Sequence, residues 1–238
     1  MIRIEKDISV IFPAYNEEEN IEVCVLVAHC ILNELMWNFE IIIVDDGSTD
    51  STKKICNELA GRLKEVRVIS KDKNEGYGCA LRDGFKAARF EYVFFSDSDR
   101  QFDIMNLKDL FAHAESYDIV IGFRKNRQDP WKRKFLSWGY NRLCRILFAL
   151  DVRDIDCAFK LFQRSVFDTI AIESKQFFVN TEILCKASAE GMKIKEVGVS
   201  HFPRVDGISK VGFVHIPRTL REITRIYHSI QEHKKKGR

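Results

Sequence analysis

Two carboxylates one residue apart, Asp97 and Asp99, follow directly on an apolar run from Tyr92 to Phe95. The run is aromatic and β-branched, which predicts a buried strand with both carboxylates just past its carboxyl end. Like charges this close repel each other unless a cation lies beside them, and hard oxygen ligands suit Mg²⁺ or Mn²⁺. We therefore predict a divalent metal that carries a diphosphate. For this pair taken alone, the alternative is an acidic turn or a helix cap.

Three further polar or glycine-rich turns follow predicted strands: residues 13–17, the pair Asp45 and Asp46, and the loop of Gly76 and Gly78. The carboxyl ends of parallel strands share one edge of a sheet, where ligands bind. Carboxylates there can accept hydrogen bonds from a nucleobase or ribose, and glycines let the backbone approach a ligand. The chain has neither a G-x-x-x-x-G-K-[ST] nor a G-x-G-x-x-G motif. We expect a nucleotide-binding site of neither the P-loop NTPase type nor the dinucleotide-binding dehydrogenase type.

The elements that must position these turns alternate between strand and helix over the first half of the chain. Predicted strands are 8–12, 39–44, 66–70, 92–95, 118–123, 156–162 and 192–202. The first predicted helix begins within residues 16–20 and runs to about Leu35. The other predicted helices are 51–63, 79–88, 106–116, 131–150, 180–190 and 216–232. This alternation predicts an α/β protein with a single, mostly parallel, doubly wound sheet.

Length and composition are consistent with one large domain that buries a core. The chain has 238 residues, 45% of them hydrophobic, and seven cysteines without a C-x-x-C pair. We expect reduced, mostly packing thiols and no zinc site. No apolar run reaches the ~18 residues that a membrane span needs, and the first seven residues are too charged for a secretory signal. These features predict a cytoplasmic location.

The charge is unevenly distributed along the chain. Residues 122–150 hold eight lysines and arginines against one acid, and residues 203–238 hold nine against three, although the whole chain is only +3. The second half should therefore meet something anionic.

Two basic segments have the pattern of helices that lie at an interface. Residues 131–150 interleave aromatic, aliphatic and basic side chains, and residues 216–232 place apolar side chains on one helical face with arginines elsewhere. The alternative for the first is a core helix with a solvated basic face, and for the second simple packing on the domain. The lysine run 234–236 is typical of a solvated tail, and His201 is either a core residue or a hydrogen-bonding loop residue.

Five segments together resemble family 2 glycosyltransferases of the GT-A fold. They are residues 10–17, 43–50, 74–78 and 96–101, and residues 201–204 together with 207–210. The resemblance covers about residues 9–210 and is greatest to the dolichyl-phosphate mannose synthase and polyprenyl-phosphate glycosyltransferase branch. It implies a GT-A domain over 1–212, with the interfacial segment 131–150 inside it, and an amphipathic basic helix and tail over 213–238.

The resemblance also implies a role for each matching position. Nucleotide-sugar contacts are implied for Pro13, Tyr15, Glu17, Asp45, Asp46, Gly76, Gly78, Asp97, Arg204, Ser209 and Lys210. Asp99 and Gln101 would hold Mg²⁺ or Mn²⁺, Arg124 and Arg133 would bind the acceptor phosphate, and the catalytic set would be Asp97, Asp99 and Arg204. Two positions depart from the family pattern: Arg100, and Ala158 where many relatives have glycine.

The implied activity is inverting, metal-dependent transfer of a hexose from a nucleotide-sugar to a polyprenyl phosphate, dolichyl or undecaprenyl, with mannose from GDP-mannose or glucose from UDP-glucose as the leading donors. The enzyme would be peripheral on the cytoplasmic face of an anionic membrane, and a separate membrane protein or a homo-oligomer stays open as a partner. Alternatives are a glycan or other non-lipid acceptor, a sugar nucleotidyltransferase, and a non-catalytic nucleic-acid-binding module. The acidic nucleotide half argues against nucleic acid.

Overall fold

A computed structural model of the protein describes residues 3–125, 131–148, 150–203 and 216–236. Side chains are described for residues 3–125, 138–148, 150–203 and 221–231. The predicted domain boundary at residue 212 lies outside the described residues.

Seven strands form one sheet within the described residues. They are β1 (Ile4–Ala14), β2 (Met36–Asp45), β3 (Val66–Ser70), β4 (Tyr92–Ser96), β5 (Ile119–Arg124), β6 (Phe159–Gln163) and β7 (Ile194–Val199). The strand order is β3-β2-β1-β4-β6-β5-β7, and only β6 runs antiparallel to its neighbours among the described pairs. The predicted α/β, mostly parallel sheet is confirmed.

The helices lie on both faces of this sheet. They are α1 (Ile21–Leu35), α2 (Thr52–Arg62), α3 (Tyr77–Ala87), α4 (Leu107–Phe111), α5 (Trp131–Phe148), α6 (Val166–Thr169), α7 (Val179–Ala189) and α8 (Ile216–Lys236), with a 3₁₀ turn at Ile104–Asn106. Helices α1, α2 and α4 cover one face, whereas α3, α5, α7 and α8 cover the other. Alternate residues of β1 enter the two cores, Val10 and Phe12 on one side and Ile11 on the other, which explains its continuous apolar run.

Several predicted boundaries were wrong. The first helix begins at Ile21 and not within residues 16–20, because that segment is bonded to the turn after β2. The predicted helix 106–116 is shorter than expected, because the α-helix ends at Phe111. β1 does not stop before Pro13, which stays in register with Val44 of β2. A proline is tolerated there because the ladder between β1 and β4 ends at Ile11, so no hydrogen bond of that ladder needs a donor at residue 13.

Helix α8 packs on the domain in the described part of the chain. Its residues Ile223, Ile226 and Ile230 are buried in the same core as α3 and α7. The packing alternative for this helix is therefore observed. No helix of the described residues is both long and apolar enough to cross a membrane.

Candidate active site

The turns after β1 and β2 are fastened to each other at the carboxyl edge of the sheet. Thr49 donates its backbone N–H to Asn16 Oδ1 at 2.8 Å, and Glu17 donates its backbone N–H to Thr52 Oγ1 at 2.8 Å. Asn16 adopts the left-handed conformation, with φ of 51°, which turns the chain back at the end of β1. The predicted residues Pro13, Tyr15 and Glu17 are thereby held beside the pair Asp45 and Asp46.

Asp45 and Asp46 are adjacent, yet their partners differ. The Asp46 carboxylate accepts the backbone N–H groups of Glu75 at 3.1 Å and Gly76 at 2.7 Å, so it ties the glycine loop to β2. Asp45 Oδ1 accepts the N–H of Ser48 at 3.0 Å. Its other oxygen, Oδ2, is buried and has no hydrogen-bond partner among the described residues. A buried acceptor without a partner costs ~1–3 kcal/mol, which a donor group of a ligand would recover.

The glycine loop is shaped by the protein itself. Gly76 has φ of +109°, and a Cβ added there would lie 2.2 Å from the carbonyl oxygen of Lys175. A Cβ on Gly78 would lie 2.2 Å from the carbonyl oxygen of Ser174. Both glycines are therefore required for packing on residues 174–176. Their predicted contact with a nucleotide stays a prediction.

Asp97 is held by a tyrosine that the sequence pattern did not single out. Tyr77, between the two glycines, donates its hydroxyl to Asp97 Oδ1 at 2.7 Å. Its ring stacks on Phe177, with 5.1 Å between ring centroids. The one available signal was the aromatic residue between Gly76 and Gly78, in the same loop as a predicted site.

The turn from Asp99 to Gln101 folds back on itself. Gln101 donates its backbone N–H to Asp99 Oδ1 at 3.2 Å, and Arg100 between them has φ of 61°. Gln101 also bonds the chain after β7, since its Nε2 donates to the carbonyl of Phe202 at 3.1 Å. This pairing brings His201 against Phe102, with ring centroids 5.3 Å apart. His201 thus lies at the same edge of the sheet as the acidic pair.

The donor set at this edge fits a magnesium or manganese ion that substrate phosphates would help to hold. No group of three or more His, Cys, Asp or Glu side chains within the described part of the chain forms a metal cage. A carboxylate at Asp99 and an amide oxygen at Gln101 are hard ligands, and Mg²⁺ is usually held by one or two carboxylates together with phosphates and water. An open site of this kind is compatible with the predicted metal.

Arg124, the predicted acceptor-phosphate residue, is engaged by a carboxylate. Its Nε and Nη2 donate to the two oxygens of Asp154, each at 2.7 Å. Burial opposes the guanidinium charge, but Asp154 raises the pKa of Arg124 above its ordinary value. Binding of a phosphate at Arg124 would have to share this guanidinium with Asp154. The Arg133 side chain, Arg204, Ser209 and Lys210 lie outside the described residues.

Two buried polar residues behind Asp97 were missed by the sequence reasoning. Lys160, in β6, is fully buried, and it donates to Asn180 Oδ1 of α7 at 2.8 Å. A lysine in a strand pattern gave no sign that it would face the interior.

Fold and site together define a class of protein: an α/β domain with an acidic, strand-end ligand site and no dinucleotide or P-loop motif. The sequence model of glycosyl transferase family 2 matches residues 9–171. The chain belongs to this family.

Among its relatives is glycosyltransferase AglD of Haloferax volcanii, 33% identical over 210 residues, a match of 84% of this chain and 34% of that protein. The undecaprenyl-phosphate 4-deoxy-4-formamido-L-arabinose transferase of Aeromonas hydrophila is 29% identical over 89% of this chain and 64% of its own. The dolichyl-phosphate beta-glucosyltransferase of Dictyostelium discoideum is 31% identical, over 92% of this chain and 73% of that protein. The chain therefore spans from a third to three quarters of the length of these relatives.

Solved structures share the fold. Glucosyl-3-phosphoglycerate synthase of Mycobacterium tuberculosis in complex with phosphoglyceric acid aligns with a TM-score of 0.72 and 20% identity, over 94% of this chain and 80% of that one. A complex of the same enzyme with Mn²⁺, UDP and glucosyl-3-phosphoglycerate aligns with a TM-score of 0.71 and 19% identity, over 94% of this chain and 80% of that one. At this identity the likeness shows the fold alone, and the predicted GT-A architecture is confirmed.

Proposed function

We propose that this protein transfers a hexose from a nucleotide-sugar to a polyprenyl phosphate at a membrane surface. The observation that carries the proposal is the convergence of the strand-end turns on one edge of the sheet. Hydrogen bonds join the turn after β1 to the turn after β2, Asp46 to the glycine loop and Asp97 to Tyr77. The family and the printed activities of the relatives support the reaction class.

The nucleotide-sugar would lie across this edge. Asp45, with its buried and unpartnered Oδ2, is suited to accept an N–H from the base or a hydroxyl from the ribose. Asp97, whose Oδ1 is fixed by Tyr77, would face the diphosphate side of the nucleotide. GDP-mannose and UDP-glucose remain the leading donors.

A divalent ion would be held by Asp99 and Gln101. His201 lies close to them, because the segment after β7 pairs with residues 101 and 102. When bound, Mg²⁺ or Mn²⁺ supplies positive charge that stabilises the departing diphosphate. Asp99 is only 4% exposed, and the backbone N–H of Gln101 restrains its Oδ1 at 3.2 Å. Arg204 and Lys210 would add cations on the donor phosphates.

The acceptor needs no general base, because a polyprenyl phosphate is already anionic at neutral pH. Its phosphate oxygen would attack the anomeric carbon in line with the departing group, with inversion. The new bond joins that oxygen to the sugar, the bond from the sugar to the diphosphate breaks, and the electron pair leaves with the nucleoside diphosphate. Arg124 and Arg133 would position the acceptor phosphate.

The exposed residues of helix α5 support action at a membrane surface. Its inner side buries Asn141 and Cys144, whereas Trp138 is 59% and Ile146 69% exposed. Arg142 and Arg145 are also exposed, and the spacing of 138, 142, 145 and 146 places all four on one outward face. An outward face with both apolar and basic side chains is typical of an interfacial helix.

The test is transfer of label from UDP-glucose and from GDP-mannose to a short polyprenyl phosphate in the presence of Mn²⁺. We expect a labelled lipid from one donor, and no product when the unphosphorylated polyprenol replaces the phosphate. Asp99→Asn should lower kcat by at least ~10²-fold through lost electrostatic stabilisation. The matched control is Asp103→Asn, because Asp103 caps the next helical turn through Met105 N–H at 2.9 Å and asparagine caps equally well.

Other outcomes would contradict the proposal in distinct ways. Label that appears only on a glycan would show a non-lipid acceptor. Turnover of a nucleoside triphosphate with a sugar phosphate would show a nucleotidyltransferase. Wild-type activity in Asp99→Asn would refute the metal assignment.

A further inference from the structure

A buried carboxylate of α7 holds the segment that lies against the glycine loop. Glu182 is fully buried, and its two oxygens accept the backbone N–H groups of Glu173 at 2.9 Å and of Ser174 at 2.8 Å. Residues 171–175 belong to no helix or strand, so their backbone groups depend on such side-chain partners. Glu182 therefore fixes the start of residues 173–176 (the support segment).

A lysine one turn further along α7 balances the charge of this carboxylate. Lys186 donates its ammonium to Glu182 Oε1 at 2.8 Å. The ammonium also donates to the carbonyl oxygen of Ala171 and to the carboxylate of Glu173, each at 2.7 Å. A buried carboxylate is tolerated when it has both a charged partner and hydrogen bonds. Glu182 has both, and all three groups bonded to it are donors.

The support segment bonds the glycine loop directly. Gly78 donates its backbone N–H to the carbonyl oxygen of Lys175 at 3.0 Å. The next aromatic residue after the segment, Phe177, stacks on Tyr77. A Cβ on Gly78 would lie 2.2 Å from the carbonyl oxygen of Ser174, so the two segments are in close contact. A shift of the support segment must therefore move the glycine loop.

We propose that Glu182 is a positioning residue of the donor site, which fixes the glycine loop through the support segment. The inference rests on the proposed function, since it gives a structural cause for the placement of the donor-binding edge. Glu182 is buried and bonded to protein donors, so it touches neither substrate nor the reacting atoms. Its effect reaches the site through Gly76, whose N–H is bonded to Asp46, and through Tyr77, whose hydroxyl is bonded to Asp97.

The test is Glu182→Gln, which keeps the shape of the side chain but replaces one acceptor oxygen with an NH₂ donor. That donor would face an N–H or ammonium donor that already points at the site. We expect KM for the nucleotide-sugar to rise about tenfold, the scale of one lost hydrogen bond to a charged group. The value of kcat should stay within about threefold, because the metal turn at residues 99–101 is not displaced.

Hydrogen exchange of the Gly78 amide, followed by NMR, measures the same effect without turnover. We expect this amide to exchange about tenfold faster in Glu182→Gln, because its bond to Lys175 opens more often.

Glu40→Gln is the matched control for a loss of stability alone. Glu40 is another buried carboxylate, 6% exposed, which accepts the backbone N–H of Arg89 at 2.9 Å and pairs with Arg67 at 2.7 Å. It bonds the segment that enters β4, not the support segment. We expect this variant to unfold at lower urea but to keep the wild-type KM and Gly78 exchange. An unchanged KM in Glu182→Gln, a loss confined to kcat, or equal changes in the two variants would overturn the inference.

Failure of the proposed function has a different signature. If the wild type glycosylates no polyprenyl phosphate, exchange of the Gly78 amide decides alone. Faster exchange in Glu182→Gln than in Glu40→Gln would support the positioning role, and equal exchange would overturn it. If Glu182→Gln does not fold, Lys186→Gln replaces it, because it removes the ammonium bonded to Glu182 and leaves the carboxylate in place. The expected and the contradicting results are then the same.

Discussion

A single buried ammonium group makes the stability of this protein depend on alkaline pH in a defined direction. Lys160 has its pKa lowered by burial to about 8, whereas an unfolded lysine titrates near ~10.4. Between these values the unfolded chain binds a proton that the folded protein has lost. The free energy of unfolding should therefore rise with pH in this window relative to a variant without the group, and be flat below it.

We expect the free energy of unfolding of the wild type minus that of Lys160→Met to increase, in the positive direction, by about 1–2 kcal/mol from pH 7 to pH 9.5. Urea unfolding of both proteins at the two pH values measures it. If wild type minus variant stays constant or decreases over this range, the pKa of Lys160 is not lowered in the folded protein.

At the scale of elements, α5 exposes large apolar side chains beside basic ones. Apolar and basic side chains share its outward face, while its inner side packs against α7 and α8. We expect the protein to sediment with liposomes that contain anionic lipid at low salt, and less at high salt, because exposed charges are screened.

Trp138→Ala should reduce sedimentation several-fold, since an interfacial tryptophan anchors the helix at the headgroup level. Trp37→Ala is a matched control, because Trp37 is similarly exposed, at 61%, but is the second residue of β2 and not part of α5. Equal losses in the two variants would argue against docking through α5, and a wild type that stays in the supernatant at low salt would exclude surface docking.

Viewed as a whole molecule, the fold was predictable where periodicity is local. β3 was predicted with its observed bounds, and β4 to within one residue, because each is a short apolar run between turn residues. The antiparallel direction of β6 was not predicted, since pairing direction depends on partners distant in sequence. The same limit applies to the site: adjacent aspartates look alike in sequence, but only the fold shows that Asp46 is used by the glycine loop and that Asp45 keeps a buried oxygen without a partner.

The identity of the donor can be read from the stability of the whole molecule. A ligand that binds only the folded state stabilises it by about 2.7 kcal/mol at a hundredfold excess over its Kd. For a domain of this size that corresponds to a rise in Tm of roughly 5–10 °C. We expect the preferred nucleotide-sugar with Mn²⁺ to give such a rise, and EDTA to remove most of it because the diphosphate would lose its metal. Asp45→Ala should weaken the rise for the preferred base, whereas Asp103→Asn, the control near the metal turn, should retain it. If neither UDP-glucose nor GDP-mannose raises Tm while another nucleotide-sugar does, the leading donors are wrong and the site stands; if no nucleotide-sugar does, the acidic edge is not a donor site.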